Sequence, residues 1–240
     1  MPLPRLIAHR GLSAHAPENT LAAVRAASDA GCDWVELDVQ LLGDGTPVIW
    51  HDDNLERCSN SRARLVELER DELAMLDAGS WFGARFAGEP IALLDDALAL
   101  LAERGMGLNL ELKVGSGRDP VALAQAVVPR LKNFLAPHGL LVSSFDRQAL
   151  ESARELDSEL PLGLLYTSIP RRWAEDARRL RPLSVHADWR RFDQERLIEI
   201  RRADIAVYAY TVNDPEAFKP WWEHGVTGVI SDDPTLFRDS

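Results

Sequence analysis

The sequence has few of the residues that define several classes of protein. It contains two cysteines, Cys32 and Cys58, which lie in dissimilar sequence contexts. Two such cysteines do not form a disulfide framework, and a cysteine-based zinc site would need more ligands. Glycine (15) and proline (14) are modest among 240 residues, of which 46% are hydrophobic, so collagen-like repeats and disorder are excluded. A chain of this length can build a core without covalent staples.

The sequence also has fewer basic than acidic residues. It contains 27 lysines and arginines and 38 aspartates and glutamates, which gives a net charge of −11. Such a chain repels polyanions on average, so we expect no nucleic-acid partner and no broad binding to anionic membranes. No run of 18 apolar residues occurs, and the first residues reach a His-Arg pair after only a few apolar ones. We therefore expect no signal peptide and no stable membrane insertion, which predicts a cytoplasmic protein. The sequence does not indicate an oligomeric state.

Apolar, strand-like segments alternate with helical segments along most of the chain. Eight main strands are predicted, centred near residues 6, 35, 110, 141, 163, 185, 208 and 229, and most of them precede a helix. This alternation is typical of an α/β protein whose parallel strands close into a (β/α)₈ TIM barrel. A doubly wound open sheet is the competing fold. That fold normally has a glycine-rich phosphate loop after its first strand, where this sequence has His9-Arg10-Gly11.

One stretch, residues 52–93, differs from the rest, because it is polar and irregular with a single helical segment over Glu69–Leu76. We interpret it as an insertion after the second strand region of one domain that spans residues 1–240. Elsewhere the spacing predicts, among other helices, one over Asp119–Phe134 and one over Arg171–Leu180, and a strand over Ala206–Val212.

Ionisable residues interrupt the predicted strands near their carboxyl ends, where the active sites of such barrels lie. They are His9, Arg10, Glu36, Asp38, His51, Glu111 and Lys113. Residues i and i+2 of a strand share a face, so Glu36 and Asp38 form one pair, and Glu111 and Lys113 form another. A solvated face or a structural ion pair would account for either pair alone. Their joint placement at successive strand ends favours a functional site.

The residue types of this group suit metal-assisted phosphoryl chemistry. The carboxylates Glu36, Asp38 and Glu111 would lie in parallel strands buried on both faces, where unpaired carboxylates are costly and a cation is the natural partner. Carboxylate oxygens are the ligands that Mg²⁺ and Ca²⁺ prefer. The two histidines suit general acid and base catalysis near neutral pH, and Arg10 and Lys113 add fixed positive charge for a phosphate group.

Several ordered motifs resemble those of the glycerophosphodiester phosphodiesterase family. They are I-A-H-R-G (7–11), P-E-N-T-L (17–21), V-E-L-D-V (35–39), H-D-D (51–53), L-E-L-K (110–113), S-S-F-D (143–146), Y-T-V-N (210–213) and G-V-I-S-D-D-P (228–234). The sequence departs from the family pattern over 54–59, over 91–95 and at Tyr210, positions that bear on substrate range rather than on chemistry.

The resemblance implies a TIM barrel that hydrolyses glycerophosphodiesters to sn-glycerol 3-phosphate and an alcohol with the help of a divalent cation, Mg²⁺ or Ca²⁺, with Mn²⁺ as a further candidate. Carried over by position, the catalytic acid–base pair would be His9 and His51, and the phosphate-binding residues would be Arg10 and Lys113. The metal ligands would be Glu36, Asp38 and Glu111. The segment after His51 would shape the glycerol side of the pocket.

Two other functions remain open at this point. One is a related phosphodiesterase that acts on lysophospholipids, which an apolar rim such as Trp81, Phe82 and Phe86 would favour. The other is a non-catalytic barrel that binds phosphorylated ligands. The loss of a histidine or a metal-ligating carboxylate would favour that function, and the sequence retains all of them.

Overall fold

The computed structural model describes residues 3–132, 134 and 139–237. Its strands are Leu6–His9 (β1), Trp34–Leu41 (β2), Pro47–Ile49 (β3), Gly107–Leu112 (β4), Leu140–Ser144 (β5), Leu162–Tyr166 (β6), Ser184–Asp188 (β7), Ala206–Tyr210 (β8) and Gly228–Ser231 (β9). Its α-helices are Leu21–Asp29 (α1), Leu94–Arg104 (α2), Pro120–Leu131 (α3), Arg147–Leu156 (α4), Trp173–Leu180 (α5), Gln194–Arg202 (α6) and Pro215–Glu223 (α7).

Eight of these strands form a closed parallel barrel. The order runs β1-β2-β4-β5-β6-β7-β8-β9, and β9 pairs with β1 to close the ring. Strand β3 lies outside the ring and pairs antiparallel with β2. A helix follows each barrel strand before the next one begins, and the 3₁₀ helix Pro234–Phe237 follows β9. The predicted (β/α)₈ TIM barrel is therefore confirmed.

Short polar side chains cap the N-termini of five of the seven described α-helices. Each accepts a hydrogen bond from a backbone N–H of the first turn, which otherwise has no partner within the helix. These N-caps are Thr20, Asp119, Asp146, Asp193 and Asp214. They end the loops that follow the barrel strands, so they hold in place the rim at which the strands' carboxyl ends lie.

An apolar layer fills the part of the barrel interior nearer the amino ends of the strands. It consists of Ile7, Trp34, Leu141, Tyr208 and Ile230. Glycines make room for its two largest rings, because a Cβ on Gly107 would lie 2.3 Å from the Trp34 ring and one on Gly228 would lie 2.5 Å from the Tyr208 ring. Large and small residues thus alternate around the interior, and the polar side chains of β2 and β4 lie above this layer.

Residues 52–93 pack around an apolar cluster separate from that of the barrel. The cluster comprises Leu42, Val48, Trp50, Leu55, Cys58, Leu65, Leu68, Leu73, Ala78 and Ile91. The α-helix expected over Glu69–Leu76 is instead a 3₁₀ helix over Arg70–Met75 with extended backbone at both caps. With only Leu73 buried, this segment lacks the apolar face that would stabilise a longer α-helix. That 52–93 is an insertion stays a prediction, and the separate cluster supports it.

Three other element bounds differ from those expected. Helix α3 ends at Leu131 rather than at Phe134, and Asn133, which the prediction included, lies outside the described residues. Helix α5 begins at Trp173 rather than at Arg171, because Arg172 has non-helical backbone angles. Strand β8 ends at Tyr210, whose pairing with Asp188 is the last one between β7 and β8. Among the described residues, no helix is long and apolar enough to cross a membrane.

We expect Gly11→Ala to lower the free energy of unfolding more than a glycine-to-alanine change in a turn where the new Cβ meets no other atom. Gly11 has φ of +80°, and a Cβ there would lie 2.6 Å from the Ala23 Cβ and 2.7 Å from the Ala23 carbonyl carbon. The left-handed backbone costs a residue with a side chain about 1–2 kcal/mol, and overpacking adds about 1–3 kcal/mol. Urea unfolding of the wild type and the variant measures this loss in the free energy of unfolding.

The matched control is Gly45→Ala, because Gly45 has φ of +83° and a Cβ there meets nothing within 4 Å. This variant should lose only the backbone contribution of about 1–2 kcal/mol. Equal losses in the two variants would show that the close approach of α1 to Gly11 contributes nothing.

Candidate active site

Three carboxylates meet where β2 and β4 lie side by side. Glu36 and Asp38 project from one face of β2, and Asp38 pairs in register with Glu111 of β4. All three are buried, and one carboxylate oxygen from each lies within 4.8 Å of the others. The three predicted metal ligands therefore form one cluster, as the i, i+2 spacing of the strand predicts.

Two cations border this carboxylate cluster. The Lys113 Nζ lies 3.1 Å from a Glu111 oxygen and 3.5 Å from an Asp38 oxygen. The Arg10 Nε lies 3.4 Å from the other Asp38 oxygen, and the Arg10 backbone N–H donates to Glu36 at 3.1 Å. When all three carboxylates are ionised, two positive charges do not offset them.

This imbalance appears in the pKa values of the carboxyl groups. Burial and then the Asp38 charge raise the pKa of Glu111 to about 7, and burial with Asp38 and Glu111 raises the pKa of Glu36 well above its usual range. Burial would also raise the pKa of Asp38, but Lys113 and Arg10 together hold it below its usual value. A divalent cation would stabilise the ionised form of all three groups. The all-oxygen donor set suits Mg²⁺ or Ca²⁺, so the residues present fit such an ion.

Asn19 fixes the position of Asp38 through two hydrogen bonds. Its Nδ2 donates to Asp38 Oδ2 at 2.8 Å, and its Oδ1 accepts from the Asp38 backbone N–H at 3.2 Å. Asn19 has a left-handed φ of +56°, and the next residue, Thr20, caps α1. The side chain that fixes Asp38 therefore comes from the turn that starts this helix, a contact that the sequence alone does not reveal.

His9 is oriented by a carboxylate from the far end of the chain. Its Nδ1 lies 2.6 Å from Asp232, and its Nε2 lies 4.0 Å from Glu36. Ser13 and Asn213 also donate hydrogen bonds to Asp232, at 3.1 and 2.6 Å. Burial would raise the pKa of Asp232, but the hydrogen bonds hold it at about 2. Asp232 is thus ionised and accepts the Nδ1 proton of His9, which directs Nε2 to the carboxylate cluster.

His51 is held by its neighbour Asp52 in the same way, with 2.7 Å between Nδ1 and the carboxylate. Arg57 donates to the second Asp52 oxygen at 2.7 Å and makes two hydrogen bonds to Glu18 at 2.6 and 2.8 Å. Glu18 in turn accepts a hydrogen bond from Arg10 at 2.6 Å. An unbroken chain of charged contacts therefore links the two predicted functional residues His51 and Arg10.

Burial, with the help of two nearby cations, favours the neutral form of His51. Burial lowers its pKa below the usual value, Arg10 and Lys113 lower it further, and these effects outweigh the opposing charge of Asp38. At neutral pH the ring therefore carries one proton, which the contact with Asp52 places on Nδ1. Nε2 is then the atom able to accept a proton.

These groups surround a pocket of about 230 Å³ at the carboxyl ends of the barrel strands. Its lining comprises His9, Arg10, Glu36, His51, Asn109, Glu111, Lys113, Ser143, Phe145, Leu165, Tyr210, Thr211 and Ile230. Six of the seven predicted site residues are among them, and Asp38 lies just behind, 1% exposed. The structure thus brings all seven together, while their roles stay predictions. Sequence reasoning assigned no role to Asp232, Asp52 or Arg57.

The chain matches the model of the glycerophosphoryl diester phosphodiesterase family over residues 9–236. It belongs to this family. The enzyme is accordingly a phosphoric diester hydrolase, which confirms the class predicted from the sequence motifs.

Alignments of the hydrolase with its relatives extend over almost the whole chain. A phosphodiesterase from Oleispira antarctica, solved in complex with the product sn-glycerol-3-phosphate, has a TM-score of 0.94 at 39% identity, over 98% of this chain and 96% of that one. A glycerophosphodiester phosphodiesterase from Thermotoga maritima has a TM-score of 0.78 at 28% identity, over 99% and 98%. The glycerophosphodiester phosphodiesterase of Caldanaerobacter subterraneus is 32% identical over 230 residues, which are 95% of this chain and 94% of that protein.

We expect Asp232→Asn to change how the stability of the hydrolase depends on pH. Asp232 has a lowered pKa of about 2 in the folded protein, so its charge stabilises the fold fully above the unfolded value near 4. That contribution is lost as the pH falls towards 2. The difference in free energy of unfolding between wild type and variant should be largest at pH 6–7 and should shrink below pH 4. Urea unfolding at several pH values measures it, and a difference independent of pH would contradict the charged contact with His9.

Proposed function

We propose that the hydrolase cleaves glycerophosphodiesters to sn-glycerol 3-phosphate and an alcohol by cation-assisted acid–base catalysis. One observation carries the proposal: two histidines, each held by its own aspartate, face a pocket whose wall contains a buried three-carboxylate cluster. The likeness to the Oleispira antarctica protein, solved with sn-glycerol-3-phosphate, supports this choice of product.

Glu36, Asp38 and Glu111 would hold the divalent cation, Mg²⁺ or Ca²⁺, with Mn²⁺ as a further candidate. When bound, such an ion supplies positive charge that offsets the charge developing on the phosphoryl oxygens in the transition state. Arg10 and Lys113 line the same pocket and offer fixed positive charges to the nonbridging oxygens of the diester.

The two histidines would divide the proton transfers. His51 is neutral and accepts, at Nε2, the proton of the attacking hydroxyl, which belongs either to water or to the substrate's own glycerol 2-hydroxyl. His9, whose Nδ1 contacts Asp232 at 2.6 Å and whose Nε2 lies 4.0 Å from Glu36, would donate a proton from Nε2 to the departing alcohol oxygen. With water as the nucleophile, one P–O bond forms and one breaks, and the products are sn-glycerol 3-phosphate and the neutral alcohol. With the 2-hydroxyl as the nucleophile, the same exchange releases the alcohol and leaves a cyclic glycerol phosphate. Water then opens that ring by forming one P–O bond and breaking the bond to the 2-oxygen, which takes up a proton.

We expect His9→Ala and His51→Ala each to lower kcat for glycerophosphocholine by at least about a hundredfold, the usual contribution of general acid–base catalysis. The control is His224→Ala, because His224 follows α7 and contacts Gln194 rather than the pocket. It should retain wild-type turnover. Release of glycerol 3-phosphate measures the rate, and near-wild-type kcat in either pocket variant would refute the assignment.

Chelation should abolish activity, because the carboxylates would then face one another without a cation. We expect EDTA to stop the release of glycerol 3-phosphate, and Mg²⁺, Ca²⁺ or Mn²⁺ to restore it. Asp38→Asn should need far more cation for half-maximal activity, since Asp38 is the carboxyl group whose pKa is held low. Full activity in EDTA would overturn the role of the ion.

A lysophospholipid substrate is the second candidate, and one feature favours it. Trp81 is 41% exposed and packs edge-to-face on Phe82, which packs in the same way on Phe86. Arg85 donates to the His15 carbonyl at 2.8 Å, so this aromatic group lies beside the loop after β1. Parallel assays with lysophosphatidylcholine and glycerophosphocholine distinguish the two substrates.

A further inference from the structure

Two buried polar side chains line the pocket next to the carboxylate cluster. Asn109 precedes Glu111 by two residues on β4, so both project to the same face. Ser143 of β5 pairs in register with Glu111. Both Asn109 and Ser143 line the pocket, and they are 1% and 0% exposed. We call this pair the polar floor.

The polar floor has hydrogen-bonding atoms without partners. Among the described residues, none bonds to the Asn109 Oδ1, the Asn109 Nδ2 or the Ser143 Oγ. Nearby buried serines differ: Ser144 donates to the Leu112 carbonyl at 2.7 Å, and Ser184 contacts the His186 Nε2 at 2.8 Å. A buried polar group without a hydrogen-bond partner destabilises a protein, so three such atoms in one pocket point to a ligand.

The surroundings of the polar floor are neutral on the side away from the carboxylates. A Cβ on Gly163 would lie 2.9 Å from the His186 Nε2 and 3.2 Å from the Ser143 Cβ, so the imidazole approaches Ser143 across this glycine. Burial lowers the pKa of His186 to about 3, and the ring is therefore uncharged at neutral pH.

We propose that the polar floor binds the free hydroxyl groups of the substrate's glycerol moiety, an inference that rests on the proposed function. An alcohol hydroxyl both donates and accepts, as the Asn109 amide and the Ser143 hydroxyl do. A phosphate diester only accepts, which leaves the Asn109 Oδ1 without a donor. A quaternary ammonium head group has no N–H or O–H at all.

This assignment fixes the direction in which the substrate lies. The glycerol end reaches the polar floor, the phosphate lies at the level of Arg10 and Lys113, and the leaving alcohol points to the rim, where Phe145 is 44% exposed. A ligand that lacks a glycerol hydroxyl would leave atoms of Asn109 and Ser143 buried without a hydrogen-bond partner. The polar floor therefore selects glycerol over ligands without these hydroxyl groups. The head group meets an open rim and is selected weakly.

The test uses two variants, Asn109→Leu and Ser143→Ala, with calorimetric titration in Mg²⁺ of three ligands. The ligands are sn-glycerol 3-phosphate, 3-hydroxypropyl phosphate, which lacks the 2-hydroxyl, and inorganic phosphate. We expect the wild type to bind glycerol 3-phosphate roughly tenfold more tightly than its deoxy analogue. Each variant should lose roughly three- to tenfold in affinity for glycerol 3-phosphate while its affinity for phosphate stays unchanged.

Ser184→Ala is the matched control, because Ser184 is equally buried but has a partner, His186, and does not line the pocket. It should bind all three ligands as the wild type does. Urea unfolding shows whether Asn109→Leu is folded. Ser143→Ala deletes a single oxygen, so it keeps the test decisive if Asn109→Leu does not fold.

The outcomes separate this inference from the proposed function. A wild type that hydrolyses glycerophosphocholine but binds glycerol 3-phosphate and the deoxy analogue equally would overturn the polar floor alone. So would variants that lose phosphate affinity in the same proportion. A wild type that hydrolyses no glycerophosphodiester, with variants that still lose glycerol 3-phosphate selectively, would overturn the proposed function and leave the polar floor standing.

Discussion

The mutual repulsion of three buried carboxylates is the constraint on which the rest of the site depends. Isolated carboxylates inside a protein cost several kcal/mol each, and adjacent ones cost more because their charges repel. The barrel tolerates Glu36, Asp38 and Glu111 together because the turn after β1 and the end of β4 bring Arg10 and Lys113 against them. A divalent cation would offset the negative charge that remains when all three groups are ionised, so the same excess of charge that destabilises the empty cluster would favour binding of the ion.

Barrel closure brings His9 and its partner Asp232 together from opposite ends of the chain. His9 ends β1 and its partner Asp232 follows β9, and the two are adjacent only because β1 pairs with β9. His51 reaches the cluster differently, through β3, which pairs antiparallel with β2 and reverses the chain. The Arg57–Glu18 contact then ties the segment after β3 to the loop after β1. A displacement of either segment would therefore move His51 relative to Arg10.

Much of this arrangement follows from short-range sequence patterns. Strand periodicity places Glu36 beside Asp38, and the alternation of strands and helices indicates the barrel and hence its catalytic rim. What the sequence could not reveal depends on pairing between distant strands. The contact between His9 and Asp232 spans 223 positions, and it needs the barrel's closure to be known. The polar floor could not be predicted for the same reason, since Asn109 is one polar residue in an apolar strand until the pairing of β4 with β5 shows that Asn109 and Ser143 line one pocket.

The proposed roles would separate chemistry from specificity within the pocket, and this separation bears on how the family's pattern can vary. The charged groups would act on the phosphate, which every diester substrate shares. The neutral groups of the polar floor would act on the part of the substrate that is retained, and the rim would meet the part that leaves. Two of the departures from the family pattern fall at this pocket in different ways: Tyr210 ends β8 and lines the pocket, and 54–59 includes Arg57, which contacts Asp52 and Glu18. None of them replaces Glu36, Asp38 or Glu111. We therefore expect changes at Tyr210 to alter the leaving-group range while the reaction stays the same, and changes at Arg57 to act through the position of His51.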